Sequence, residues 1–270
     1  MKRKILTAAA LIILIFMFTG CASASINLGE GYYVPENFSS VLITSSDGTA
    51  IQNAVERIQS GGTILLSGDF VLKENINIKK NLKIKGNGDK KALLKASESL
   101  SDGISRIIRC QGNITLENLK ITGGKETNGG GVKLDGGEVN IISCDIIENT
   151  AILGGGGIHS QANKLTLINC NISGNTTFGA GGGLSAIGGT ITMTNCIIDN
   201  NTAGFSYGGG LGISGSTVNL SSCTISNNKL TQPNGGGIAL INQASLTSKD
   251  CTISGNRVPE VYSDEKSTKK

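Results

Sequence analysis

The residues best equipped for chemistry in this chain recur on a fixed period. Cysteine stands at Cys144, Cys170, Cys196, Cys223 and Cys251, at spacings of 26, 26, 27 and 28 residues. Such a series could hold a soft metal, form disulfides or pack in a core. A zinc-type site needs close cysteine pairs or histidine partners. The chain has no Cys-x-x-Cys and a single histidine, His159, so no metal and no cofactor is expected. Bridges between neighbouring periods would fall within the Cα range of a disulfide, but in-register parallel side chains point the same way. The expectation is therefore a stack of reduced, buried thiols.

Acids are the second source of chemistry. Between 129 and 256 they are Asp135, Glu138, Asp145, Glu148, Asp199 and Asp250. A polysaccharide hydrolase needs two carboxylates at about 5–9 Å; a lyase needs clustered carboxylates for calcium and a positioned base. Asp145 and Glu148 are neighbours across one turn, with Glu138 in the same period. Asp199 is expected one residue beyond the Ile147 column, so no acid column builds up and no catalytic residue is assigned. His159 follows an inward Ile158 and alternation places it outward, as an exposed strand residue or, in the sharper reading, a general acid–base. Tryptophan is absent and Tyr207 is the only tyrosine of the repeats, which makes a thin platform for sugar rings.

The elements that hold these residues follow from the same period. Each copy opens on three glycines and an aliphatic residue, as at Gly155-Gly156-Gly157-Ile158, and ends on an asparagine: Asn149, Asn175, Asn201, Asn228, Asn256. Repeats of this length bury their apolar side by stacking on one another. Counting from the cysteine column, Ile114, Val139, Leu165, Ile191, Val218 and Leu246 lie five residues before. Ile121, Ile146, Ile172, Ile198, Ile225 and Ile253 lie two after. Alternating sets of this kind share one strand face. Three short strands and three turns per period predict a closed triangular coil with parallel stacking. The asparagines and glycines are read as its corners, where left-handed backbone is tolerated and stacked amides bond to one another.

Outside the repeats the chain divides simply. Lys2, Arg3 and Lys4 precede an apolar run, Ile5 to Phe18, the layout of an export signal. Phe18-Thr19-Gly20-Cys21 resembles the bacterial lipoprotein box, with Phe18 in place of the usual leucine; the resemblance implies Cys21 as the lipidated residue, and cleavage after Ala24 is the alternative. Residues 1–20 are read as signal, 21–45 as a lipid-anchored tether, 46–256 as the repeat domain and 257–270 as a flexible charged tail. Three positive charges leave with the signal, taking the net charge from +4 to +1, whereas nucleic-acid binders are usually far more basic. Ile51, Ala54, Val55 and Ile58 form one face of a short helix, with Thr49 and Gln52 as its capping box. Eight lysines between 73 and 95 read as a solvated face, and Cys110 finds no column.

These features together resemble a right-handed parallel β-helix of the pectate-lyase-like superfamily, covering about Thr49 to Asn256. The helix followed by Gly61-Gly62-Thr63-Ile64-Leu65-Leu66 is similar to that superfamily's N-terminal cap and first coil. The repeats resemble the polymorphic outer-membrane protein repeat, with Ile-x-x-Asn, as at Ile172-Ser173-Gly174-Asn175, in place of Phe-x-x-Asn. The resemblance implies an all-β fold of about 7–8 coils of ~26 residues. It also implies a surface protein of adhesin type; with the anchor read at Cys21, the expectation is a non-enzymatic, envelope-anchored protein of adhesin or matrix-contact type at the outer membrane or cell surface, with the periplasmic face open. The expected partners are a host, matrix or polysaccharide ligand. The alternative it carries is a polysaccharide lyase or hydrolase acting on the helix surface.

Overall fold

The computed structural model describes residues 38–44, 46–97, 106–232, 234–257 and 259–269. The export signal, Cys21 and most of the tether lie outside the described residues.

Strands coil into a parallel solenoid of about eight turns. Three long sheets form its faces. The first has ten strands and includes Glu138–Ile142, Lys164–Ile168 and Thr190–Thr194. The second has eight and includes Asp145–Ile147, Asn171–Ser173 and Ile197–Asp199; the third also has eight and includes Val132–Leu134, Ile158–Ser160 and Leu184–Ile187. Every pairing is parallel, and the register runs Val139–Leu165–Ile191–Val218–Leu246 on the first face and Ile146–Ile172–Ile198–Ile225 on the second. These aliphatic columns meet on the solenoid axis as one continuous buried core. The shared-face reading of the alternation therefore holds column by column.

The coil has four sides where three were expected. Between the second and third faces runs a strip of five short strands: Lys125–Asn128, Thr150–Gly154, Thr176–Thr177, Thr202–Ala203 and Lys229–Leu230. Three of these have only two residues, too short for alternation to show. The strip overhangs the third face, and this decides the character of the surface there.

The ends also differ from expectation. The short strand expected near Val41-Leu42-Ile43 is present as Ser40–Ile43 and pairs with Thr63–Leu66, so the solenoid begins before residue 46. The segment after Asn256, expected to be loose, adds another rung: Val261–Ser263 pairs with Ile238–Ile241, and Thr268–Lys269 with Ser245–Lys249. Its short strands carry only one large aliphatic, Val261, so nothing periodic marks them. Cys110 stands on the third face between Ile78 and Leu134, away from the other thiols.

The helix, Thr49–Arg57, covers the first rungs with Ile51, Ala54 and Val55 buried. Its N-terminal donor is satisfied by Asp47, which accepts from the Thr49 amide at 3.0 Å and its hydroxyl at 2.8 Å. Gln52 instead accepts from the Asn77 amide at 2.9 Å, so the expected capping box does not form. Asp47→Ala is expected to cost about 1 kcal/mol, as loss of a cap does, seen as an earlier midpoint in urea unfolding. The lysine run is a solvated face with partners: Lys83 and Lys85 reach Glu117 at 2.5 and 2.7 Å, and Lys80 donates to Glu56 O at the helix end.

Candidate functional site

Two corners organise each coil. The first face ends on one left-handed residue: Asn118, Ser143, Asn169, Asn195, Ser222 or Asp250, with φ between 52° and 55°. The next residue turns inward, and here lie Leu119 and then Cys144, Cys170, Cys196, Cys223 and Cys251. The cysteines therefore occupy a bend between two faces. Each thiol donates to the carbonyl two residues earlier, Cys144 to Ile142 O and Cys170 to Ile168 O at 3.3 Å. Cys251, on the last full coil, is half-buried; the others are buried and all five are free thiols. Burial pushes the Cys144 thiol up to about 12, which leaves it protonated and unreactive at neutral pH.

The second corner carries the asparagines. The left-handed residue is the one before each of them (Glu148, Gly174, Asn200, Asn227 and Gly255) and not the asparagine itself. The asparagine points inward, and Asn149, Asn175, Asn201 and Asn228 are fully buried. Each amide nitrogen donates to the next asparagine's Oδ1, at 3.0 Å for Asn149 to Asn175 and Asn175 to Asn201, and 2.9 Å for Asn201 to Asn228. The same oxygen accepts the preceding asparagine's backbone N–H. The chain of bonds ends at Asn256, which donates to Glu260 at 2.6 Å. The third glycine of each triplet lies against this ladder: a Cβ on Gly183 would stand 3.1 Å from Asn201 Nδ2. Triplet and asparagine recur together because one leaves the space that the other fills.

The acids do not converge. Glu138 opens a strand of the first face, Asp145 opens one of the second and Glu148 turns the corner after it. Asp145 is held by Lys91 at 2.5 Å. Asp199 stands in the Ile147 column through Ser173, against the offset expected from the sequence. There it accepts from Ser226 at 2.8 Å and Asn227 at 2.9 Å. Asp135 is clasped by Arg109 at 2.5 Å and Lys133 at 3.2 Å. Burial works to raise its pKa, but these two bonds bring it below the ordinary carboxylate value. Among the described residues no group of three or more His, Cys, Asp or Glu side chains is placed to hold a metal ion.

His159 is where the overhang matters. It points outward from the third face, between Lys133 below and Ser185 above. Yet only 6% of it is exposed, because the Gly129 corner of the preceding coil lies over it; a Cβ there would come within 3.2 Å of His159 Cβ. Arg106 pins that corner, donating to Asn128 O at 2.9 Å and Gly129 O at 3.1 Å. The His159 Nδ1 atom is enclosed without a hydrogen-bond partner. Burial, and then the charge of Lys133, lower its pKa from 6.5 to about 4, so the imidazole is neutral at physiological pH. It lines a recess of about 350 Å³ between strip and face, with Leu153, Ser185, Ile187 and Tyr207.

Beside this recess the strip carries a ridge of exposed apolar side chains: Ile152 (45%), Leu153 (61%), Phe178 (61%) and Phe205 (68%). Their segments stack, with the Phe205 amide donating to Phe178 O at 2.8 Å and the Phe178 amide to Ala151 O at 3.3 Å. The tyrosine count alone missed this platform. Its signal was present in the sequence: a large apolar residue recurs three or four places after Asn149, Asn175 and Asn201.

The order of faces, the inward columns and the recurring corners agree with one known architecture. Residues 102–268 match the family described as right handed beta helix region. The chain belongs to the right-handed β-helix family. No curated protein matches it. Membership accounts for the core and the corners of this β-helix. The recess and ridge lie on its outer surface, where activities are grafted onto a fold and are not specified by it. No helix among the described residues is long and apolar enough to cross a membrane.

Proposed function

We propose that this β-helix is a non-enzymatic contact protein of adhesin or matrix-binding type, tethered to the bacterial envelope by a lipid on Cys21 and displayed at the outer membrane. The observation that carries the reading is the ridge of Ile152, Leu153, Phe178 and Phe205. Contiguous exposed apolar side chains on a soluble surface mark places of contact. Asp135, Asp145 and Asp199, each engaged by its own neighbours, support binding over hydrolysis. The export layout at residues 2–21, and the likeness of the repeats to polymorphic outer-membrane proteins, support display. The partner is a matrix polymer or host surface, and nucleic acid is not among the partners proposed.

The test uses whole cells. Phe178→Ser combined with Phe205→Ser is expected to lower attachment to immobilised matrix about tenfold, while unfolding moves by about 0.5 kcal/mol or less, as for exposed substitutions. Unchanged attachment would sink the ridge as the contact surface. Cys21→Ser is expected to abolish labelling by radioactive fatty acid, and intact cells treated with protease should lose the protein. Complete protection would place it on the periplasmic face and end the adhesin reading.

A further inference from the structure

We propose that the recess over His159 binds an uncharged, hydroxyl-bearing ring, namely a neutral sugar residue. The inference rests on the contact reading above and names what one part of that surface holds.

The recess is a built feature. Strip and third face border a half-open recess of about 350 Å³, at the small end of ligand pockets and enough for about one or two rings. Its polar groups are Asn128, His159, Ser185, Ser206, Ser214 and Tyr207. They supply hydroxyl and amide donors and acceptors without formal charge. Among the described residues no Asp, Glu, Lys or Arg lines it. The charges nearest to it are already matched: Arg109 and Lys133 with Asp135, and Arg106 with Glu126 at 3.4 Å. A charged ligand would therefore give up water and gain no partner, at a cost that grows with burial.

His159 gives the second, independent sign. A neutral polar group that is nine-tenths enclosed and unpaired is uncommon in folded proteins, and leaving it so costs free energy that a ligand hydroxyl can recover. His159 itself lines the recess, and a 180° turn of the ring exchanges the enclosed Nδ1 with Cδ2 in nearly the same volume. Leu153, Ile187 and the Tyr207 ring supply apolar walls on which the carbon face of a sugar can lie. Leu153 also belongs to the ridge, so a polymer lying along Phe178 and Phe205 would deliver one residue into the recess.

The experiment titrates the purified mature chain with methyl glycosides of glucose, galactose, mannose and N-acetylglucosamine, followed by saturation-transfer NMR and calorimetry. Glucuronate and a neutral, extended peptide serve as comparators. At least one neutral glycoside is expected to bind, at about millimolar Kd for a ligand of this size. Ser185→Leu, which fills the floor, is expected to weaken it at least tenfold. Leu153→Asp, on the exposed rim where folding is not at stake, is expected to weaken it too. No binding by any neutral glycoside overturns the proposal, as does equal affinity in both variants, or preference for glucuronate or the peptide. Sugar binding without cell attachment would sink the adhesin reading alone. Attachment that depends on Phe178 and Phe205 without sugar binding would sink this inference alone.

Discussion

Asn201→Ala is expected to lower stability by about 3–5 kcal/mol, since orphaning a buried donor costs about 1–3 kcal/mol. Asn201 Oδ1 accepts both the amide N–H and the side-chain nitrogen of Asn175 at 3.0 Å, and both donors are buried. The Asn201 nitrogen in turn donates to Asn228 Oδ1 and Ile172 O, each at 2.9 Å. Alanine strips acceptors from the coil below and a donor from the coil above, and leaves a void against Gly183. Denaturant unfolding should show the loss, and hydrogen exchange should localise it to the amide of Asn175. Glu260→Ala removes only the terminal acceptor, where Asn256 lies nearer to solvent, and should cost less. A cost below about 1 kcal/mol for Asn201→Ala would mean that the ladder is incidental to stability.

The second large effect is a pH dependence that belongs to His159. Its folded pKa, about 4, lies below the ordinary 6.5. Between those values the unfolded chain binds a proton that the folded chain refuses. Stability is therefore full above 6.5, falls as the pH drops towards 4, and levels off below. The whole shift corresponds to roughly 3 kcal/mol at about 1.4 kcal/mol per unit. The groups around the ring are Lys133 and Arg106, which oppose its protonation, and Asp135, which favours it. His159→Gln keeps a polar, uncharged side chain and removes the titration. Melting curves of the two proteins should diverge between pH 4 and 6.5, with the wild type declining and the variant flat by comparison. Parallel curves would show that the imidazole is solvated.

The core was legible from the sequence because each of its columns is chemically uniform. Ile146, Ile172, Ile198 and Ile225 are the same residue at the same offset, and parallel stacking makes sequence offset equal to spatial register. The surface was not legible in this way. Alternation placed His159 outside the third face, which is correct, but it carries no information about a strip that folds over that face. Strands as short as Thr176–Thr177 and Thr202–Ala203 leave no pattern. Asp199 belongs to the Ile147 column and not one residue beyond it, because the neighbouring Ile198 is in register with Ile172 and Ile146. The helix cap failed for a local reason: Gln52 is drawn away by the Asn77 amide and Asp47 takes its place.

The asparagine ladder has a direction, since every rung donates upward and accepts from below. An interior coil thus presents to the next coil the same donors that it receives from the one before. A tandem duplication of one whole period would reproduce both of its joints unaltered, and a deletion of one period would rejoin matching surfaces. Length is then a trait that can drift among descendants without a new fold having to be invented. The helix at one end and Glu260 at the other are under a different constraint, because neither has a duplicate that could stand in for it.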